Sequence, residues 1–139
     1  MKLLILSALT LGVLSGCSLF GNNDNKLQSG QKYIVEWIGE RPLIDRSHLS
    51  LQLDTKQQRA HGFAGCNNWF GNYELQDGQL RINQIATTRK LCAPALMEQE
   101  QRYLAALPQI ERWDFSAIGQ LQLWPAKGAP IRLWPENNY

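Results

Sequence analysis

The residues of this chain best suited to covalent chemistry lie around Cys66. A cysteine nucleophile needs a base and a group that orients the base, and the sequence offers His48 or His61 together with Asn67 or Asn68. The sequence predicts no helix N-terminus behind Cys66 that would lower the pKa of its thiol, and a disulfide would remove the thiolate. We expect no catalytic residue, with a cysteine-dependent enzyme as an alternative.

Two histidines and two cysteines are also a ligand set for tetrahedral zinc, here His48, His61, Cys66 and Cys92. Their spacing lacks the compact C-x-x-C element of zinc modules, and a thiol pair in an oxidising compartment favours a disulfide. We therefore expect no metal and no other cofactor.

Two carboxylates, Glu98 and Glu100, lie in a segment with helical spacing. Residues two apart on a helix point about 200° from each other, so these side chains cannot act as a catalytic pair. Glu100 falls on the apolar face of the segment. We expect it to accept hydrogen bonds from backbone N–H groups or from the hydroxyls of Thr87 or Thr88.

The elements that position these residues are short strands around one helix. Apolar residues alternate with polar ones through most of the chain from Lys32 onward, as half-buried strands require, for example at Tyr33/Val35/Trp37 and at Leu49/Leu51/Leu53. A helix is predicted between Pro94 and Pro108, because proline is tolerated in the first turn and ends a helix later on. This pattern predicts an α+β domain, mainly an antiparallel β barrel-like fold with one α-helix.

The N-terminus resembles that of bacterial lipoproteins. One positive charge precedes twelve mostly apolar residues, which span only about 18 Å as a helix and cannot cross a core of about 30 Å. Residues 14–17 (Leu-Ser-Gly-Cys) match the lipobox of that family. The resemblance implies a signal peptide over 1–16, cleavage before Cys17, and lipidation of Cys17 by diacylglycerol and a further acyl chain such as palmitate.

The residue after the lipobox cysteine also implies a location for the mature protein. Ser18 in place of Asp after the lipidated cysteine implies, by the same resemblance, an outer membrane lipoprotein with its domain facing the periplasm. Residues 17–31 are rich in Asn, Gly, Ser and Gln and are predicted to form a flexible tether. The expected membrane contact is thus the N-terminal lipid anchor.

The densest motif runs from Gly65 to Tyr73 (GCNNWFGNY) and is followed by a threonine-containing run ending at Cys92 and by a helix with glutamates. With the early Trp37, this order resembles the META (HslJ-like) domain family over residues 32–135. The resemblance implies a small barrel, supplies no enzymatic activity, and makes heat-shock response and novobiocin tolerance the expected contexts.

The cysteine count leaves one pair once Cys17 is assigned to the lipid. In an oxidising periplasm Cys66 and Cys92 are expected to form a disulfide, the alternative being two buried thiols. In the chain-entropy picture, closing this loop would stabilise the domain by roughly 3.5 kcal/mol.

Contact residues are harder to assign. The asparagines and glycines of residues 65–71 are expected to serve turn geometry, and Asn67, Asn68, Trp69 and Phe70 are the candidate contact loop. Strand alternation points Trp124 and Trp134 outward, which is compatible with either a partner surface or packing at the barrel end. The net charge of +2 provides no footprint for nucleic acid.

The sequence thus favours a non-enzymatic envelope lipoprotein that acts in envelope stress response or integrity, through an unidentified envelope protein or glycan partner. A periplasmic inhibitor of a hydrolase such as lysozyme is an alternative, with Trp69 and Phe70 as the natural plug. The cysteine-dependent enzyme is the second alternative.

Overall fold

A computed structural model describes residues 26–137 of the chain. The predicted signal peptide, Cys17 and most of the predicted tether lie outside the described residues. The described elements are, in chain order, β1 (Lys32–Ile38), β2 (Arg41–Pro42), β3 (Ser50–Asp54), β4 (Arg59–Phe63), β5 (Asn68–Gln76), β6 (Gln79–Thr87), α1 (Pro94–Ala106), a 3-10 turn (Leu107–Gln109), β7 (Ile110–Phe115), β8 (Leu121–Pro125) and β9 (Ile131–Pro135).

The strands form a closed antiparallel β-barrel. From β3 to β9 each strand pairs with the next along the chain, and β1 pairs with both β3 and β9. These eight strands complete the barrel, while the two-residue β2 pairs only with β1. The α+β prediction is consistent with the one α-helix among residues 26–137, but the barrel dominates the fold. Closure leaves neither β1 nor β9 as an exposed edge.

Strand alternation fills the barrel as the sequence predicts. Inward positions carry leucine, isoleucine, valine and tyrosine, whereas their neighbours face solvent. Burial of these apolar side chains is the main stabilising contribution to the fold. The fully buried aliphatic core residues include Leu49, Leu51, Leu53, Leu80, Ile82, Leu107, Leu121, Leu123 and Leu133.

The alternation breaks in β1. Its pairing with β9 shifts register between Val35 and Trp37, which marks a β-bulge. The bulge inserts one residue, so the following inward position belongs to Ile38 and Trp37 lies half-buried on the outside. The prediction that Tyr33, Val35 and Trp37 share one face is therefore wrong for Trp37.

The barrel has two distinct ends. Because consecutive strands run in opposite directions, α1 and the connections 39–49, 64–67 and 88–93 all lie at one end, here called the helix end. The chain enters β1 at the opposite end. There Gly30 donates from its backbone to Leu53 and Ser29 bonds to Thr55, so residues 29–31 of the predicted tether are held on the barrel.

No helix within residues 26–137 combines the length and apolar character needed to span a bilayer.

Candidate functional site

A buried carboxylate organises the helix end. Glu100 of α1 is only 4% exposed, because α1 lies across the barrel mouth. Its Oε2 accepts hydrogen bonds from the backbone N–H groups of Cys66 (3.2 Å) and Asn67 (2.7 Å), and its Oε1 accepts one from Asn67 Nδ2 at 2.7 Å. A buried charge is tolerated only when its lone pairs are satisfied in this way. The prediction that Glu100 binds backbone N–H groups is confirmed, whereas neither the Thr87 nor the Thr88 hydroxyl is hydrogen-bonded to it.

Asn67 extends this network to the segment before α1. Its Oδ1 accepts from the backbone N–H of Lys90 at 2.6 Å and from Thr88 Oγ1 at 2.9 Å. Its Nδ2 also donates to the Lys90 carbonyl at 3.2 Å. One buried side chain therefore fixes the backbone of residues 88–90, and Glu100 fixes that side chain.

The disulfide closes the same region. Cys66 and Cys92 are bonded, with their Cα atoms 6.0 Å apart. This is the pairing that the cysteine count favours, and it leaves Cys66 no thiolate to act as a nucleophile. His48 and His61 are both exposed, and among residues 26–137 no group of three His, Cys, Asp or Glu side chains is arranged to hold a metal ion.

A second group of buried hydrogen bonds holds α1 against the barrel wall. The backbone carbonyl of Ser50 accepts from Trp69 Nε1 at 3.2 Å and from the Tyr103 hydroxyl at 3.1 Å. The two rings meet edge to face, with centroids 6.1 Å apart. Burial raises the pKa of Tyr103, and the nearby indole of Trp69 has a smaller, lowering effect on it. Tyr103 therefore stays neutral far above neutral pH.

Gln99 fixes a further connection at the helix end. Its Oε1 accepts from the backbone N–H of Ile44 at 2.7 Å and its Nε2 donates to Ser47 Oγ at 2.9 Å. The neighbouring Glu98 is exposed and interacts instead with Arg102 and Arg41. Gln99 and Glu100 thus hold loops, and Glu98 faces solvent, as their divergence on the helix requires.

The structure buries two of the four residues of the predicted contact loop. The loop ends at Asn67, since β5 begins at Asn68. Asn67 is 3% exposed and Trp69 1% exposed, because alternation along β5 turns Trp69 into the barrel. Asn68 and Phe70 do face outward, with the Arg59 guanidinium 5.9 Å from the Phe70 ring centroid. The sequence did not indicate that β5 begins at Asn68, because glycine and asparagine are uncommon in strands.

The structure exposes another segment at the helix end, which the sequence marked as part of the family motif but not as a contact surface. Leu91 is 93% exposed and follows the exposed Arg89 and Lys90. We call residues 88–92 the display loop, because Asn67 and the disulfide fix its backbone while the side chains of Arg89, Lys90 and Leu91 project into solvent. A single apolar residue between Lys90 and Cys92 forms no periodic pattern that would have marked it.

A groove lies on the outer wall beside the bulge. Trp37, Trp134, Glu36 and Asp45 line it, together with apolar residues such as Ile44, and its volume is about 440 Å³. We call it the aromatic–acidic groove. The outward direction of Trp134 is as alternation predicts, and Trp134 pairs across strands with Ile34. The bulge that brings Trp37 beside it left no signal in the sequence.

These features define a class of protein: a small closed barrel capped by one helix whose buried polar residues hold connections in place. The family model for the META domain matches residues 25–138, and the chain belongs to the META domain family.

Two solved structures resemble this one. An NMR structure of a protein from Burkholderia xenovorans has 27% identity and a TM-score of 0.67, covering 79% of this chain and 84% of that chain. A second NMR structure has 24% identity and a TM-score of 0.58 over 76% of this chain and 88% of the other, and supports the fold alone. No curated protein matches the chain significantly.

Proposed function

We propose that this protein is a non-enzymatic binding module of the cell envelope, anchored in the outer membrane by lipid on Cys17 and facing the periplasm. The binding role is supported by one observation: the side chains that could be reactive have structural roles instead. Cys66 is bonded to Cys92, and Glu100 is saturated by hydrogen bonds that hold backbone. These groups shape loops at the helix end, which suits recognition better than turnover.

The anchor is tested by labelling cells with an alkyne palmitate analogue. The full chain should take up the label and fractionate with the outer membrane, and globomycin should block its processing. A Cys17→Ala variant should lose the label and its processing. Normal cleavage in that variant would contradict lipidation, while Cys66→Ser/Cys92→Ser serves as the control that keeps Cys17.

The physiological role we propose is maintenance of the envelope under stress. A deletion strain should lose viability at high temperature and in novobiocin, and the wild-type chain should restore it. Complementation by Cys17→Ala to the wild-type level would show that envelope anchoring is not needed for this role.

A second candidate function is inhibition of a periplasmic hydrolase such as lysozyme. The burial of Trp69 removes the plug expected from the sequence, but the exposed Leu91 on the fixed display loop favours an insertion role. A loop already held in one conformation loses little entropy on docking.

Lysozyme turbidity assays with the full chain test this candidate. Inhibition at micromolar protein should be lost in Leu91→Asp and retained in Ile118→Asp. Ile118 is a suitable control because it is also an exposed apolar residue, 74% accessible, but lies in the β7–β8 connection at the opposite end. Absence of inhibition by the wild-type chain would contradict the candidate.

A further inference from the structure

The aromatic–acidic groove has the dimensions of a small-molecule site. Its volume of about 440 Å³ falls within the range of roughly 300–1,000 Å³ that is usual for ligand pockets. It lies between β1 and the 42–47 segment, with Trp134 contributed from β9.

The aromatic walls of the groove are fixed by neighbouring polar groups. Trp134 Nε1 donates to Glu36 Oε2 at 3.0 Å, and the same oxygen accepts from Gln120 Nε2 at 2.6 Å. The Arg132 guanidinium lies 5.5 Å from the Trp37 ring centroid. The two indoles are therefore held in position before any ligand arrives, which lowers the entropy lost on binding.

The charge of the groove indicates which ligand suits it. Two carboxylates, Glu36 and Asp45, line the groove, whereas Arg132, which packs against Trp37, is not among its lining residues. Neither carboxylate forms an ion pair with another residue of the described range 26–137. Negative charge beside indole rings favours a cation, because the electron-rich face of tryptophan attracts positive charge and does so most strongly for weakly hydrated cations.

We propose that the aromatic–acidic groove binds the alkylated ammonium group of a small organic cation. Trp37 and Trp134 contact the alkyl groups of the ligand, while Glu36 and Asp45 balance its charge. The inference rests on the binding role proposed above and names the ligand class. It does not depend on the lipid anchor.

The test is a titration of the full chain, in dodecyl maltoside, with choline chloride. Indole N–H signals in ¹H–¹⁵N spectra report on individual tryptophans. Choline should shift the signals of Trp37 and Trp134 saturably, and 3,3-dimethyl-1-butanol, its uncharged carbon analogue, should bind at least tenfold more weakly. Equal affinity for the alcohol, or no saturable choline shift, would overturn the proposal.

A glycan is the main competing occupant. N,N′-diacetylchitobiose should leave the indole signals of Trp37 and Trp134 unchanged. Saturable shifts of these two signals by the disaccharide, with none by choline, would assign the groove to glycans and overturn the cation proposal.

Substitutions inside and outside the groove test whether choline binds there. Asp45→Asn and Trp37→Leu should each weaken choline binding about fivefold or more, since each removes one attractive contact. Glu36→Gln should also weaken it while keeping an oxygen acceptor for Trp134. The matched control is Trp124→Leu, because Trp124 is half-buried under Arg112 on the outer wall but does not line the groove.

Unchanged choline affinity in both Asp45→Asn and Trp37→Leu would overturn the assignment to this groove, provided that far-ultraviolet spectra show folded protein. Loss of palmitate labelling would contradict the anchor without affecting these titrations. Absent choline binding in a correctly lipidated protein would contradict the groove proposal alone.

Discussion

Glu100 illustrates how a potentially catalytic residue becomes structural. Its carboxylate lies among three donors, two from the backbone and one from Asn67, and each would lose its partner if the oxygens were removed. In a buried setting an unpaired donor costs about 1–3 kcal/mol. Glu100 is thus structural, because the neighbouring loop needs two acceptor oxygens at this place.

Replacing Glu100 with glutamine tests this role. Glu100→Gln exchanges one accepting oxygen for an amide donor, and we expect the free energy of unfolding to fall by about 2–4 kcal/mol. Urea denaturation followed by circular dichroism measures the change. Glu98→Gln is the control, since its partners are surface ion pairs worth at most about 1 kcal/mol. Equal effects of both variants would contradict the assigned role.

Tyr103 makes stability depend on pH at the alkaline end. Burial raises its pKa above the ordinary value of 10.0, so the folded protein keeps the phenol neutral while the unfolded chain ionises. The contribution is complete below pH 10 and is lost as pH rises above it, by up to about 1.4 kcal/mol per pH unit for this group. Unfolding free energies should therefore fall between pH 10 and 11.

The control for this titration is Tyr103→Phe. The variant should be less stable at pH 8, because the Ser50 carbonyl loses a donor, but its stability should decline less steeply above pH 10. Parallel pH profiles for the two proteins would show that Tyr103 is not responsible.

At the scale of elements, strict alternation made most strands predictable. Leu49, Leu51 and Leu53 of β3 face inward as the pattern requires, and α1 begins at the predicted proline, Pro94. The bulge in β1 was not predictable, because register depends on β9 and not on local sequence. The early start of β5 was hidden because its polar and glycine residues are stabilised by pairing with β4 and β6.

In the candidate site too, features set by local sequence were predictable and features set by distant contacts were not. The disulfide and the role of Glu100 could be inferred from residue types and helical spacing. The display loop and the aromatic–acidic groove could not, since both depend on which connections meet in space.

Close packing between β3 and β4 makes Gly62 indispensable. A Cβ atom at this position would overlap the Ser50 carbonyl oxygen and lie 2.9 Å from Trp69 Nε1. Gly62→Ala must displace the oxygen that accepts from Trp69 and Tyr103, so we expect a loss of about 3 kcal/mol or more. Thermal or urea unfolding measures it, and His61→Ala on the exposed side of β4 should change stability by under 1 kcal/mol.

The disulfide acts on the unfolded chain and on the display loop. Cys66→Ser/Cys92→Ser should lower the free energy of unfolding by about 3.5 kcal/mol, the entropy of closing a loop of this length. Amide hydrogen exchange at residues 89–92 should accelerate more than exchange in β3. No change in stability would show that the loop is already constrained in the unfolded ensemble.

At the scale of the molecule, β9 is the element that closes the barrel. It pairs with β1 on one side and β8 on the other, and it buries Ile131 and Leu133. Truncation after Pro130 should expose two edges and part of the core, so we expect an unfolded or aggregated product. Chemical-shift dispersion measures this, and truncation after Glu136 should leave a folded domain. A folded product without β9 would contradict this role.

Because the first and last barrel strands are neighbours, both ends of the domain emerge at one place, where the Lys32 ammonium lies 3.0 Å from the Glu136 carboxylate. This adjacency makes the domain suitable for circular permutation, in which a short linker joins the present ends and new ends are opened elsewhere. New ends in the 126–130 hairpin would emerge beside α1. A lipidated segment fused there would attach the barrel to the membrane by its helix end, so the display loop would face the bilayer.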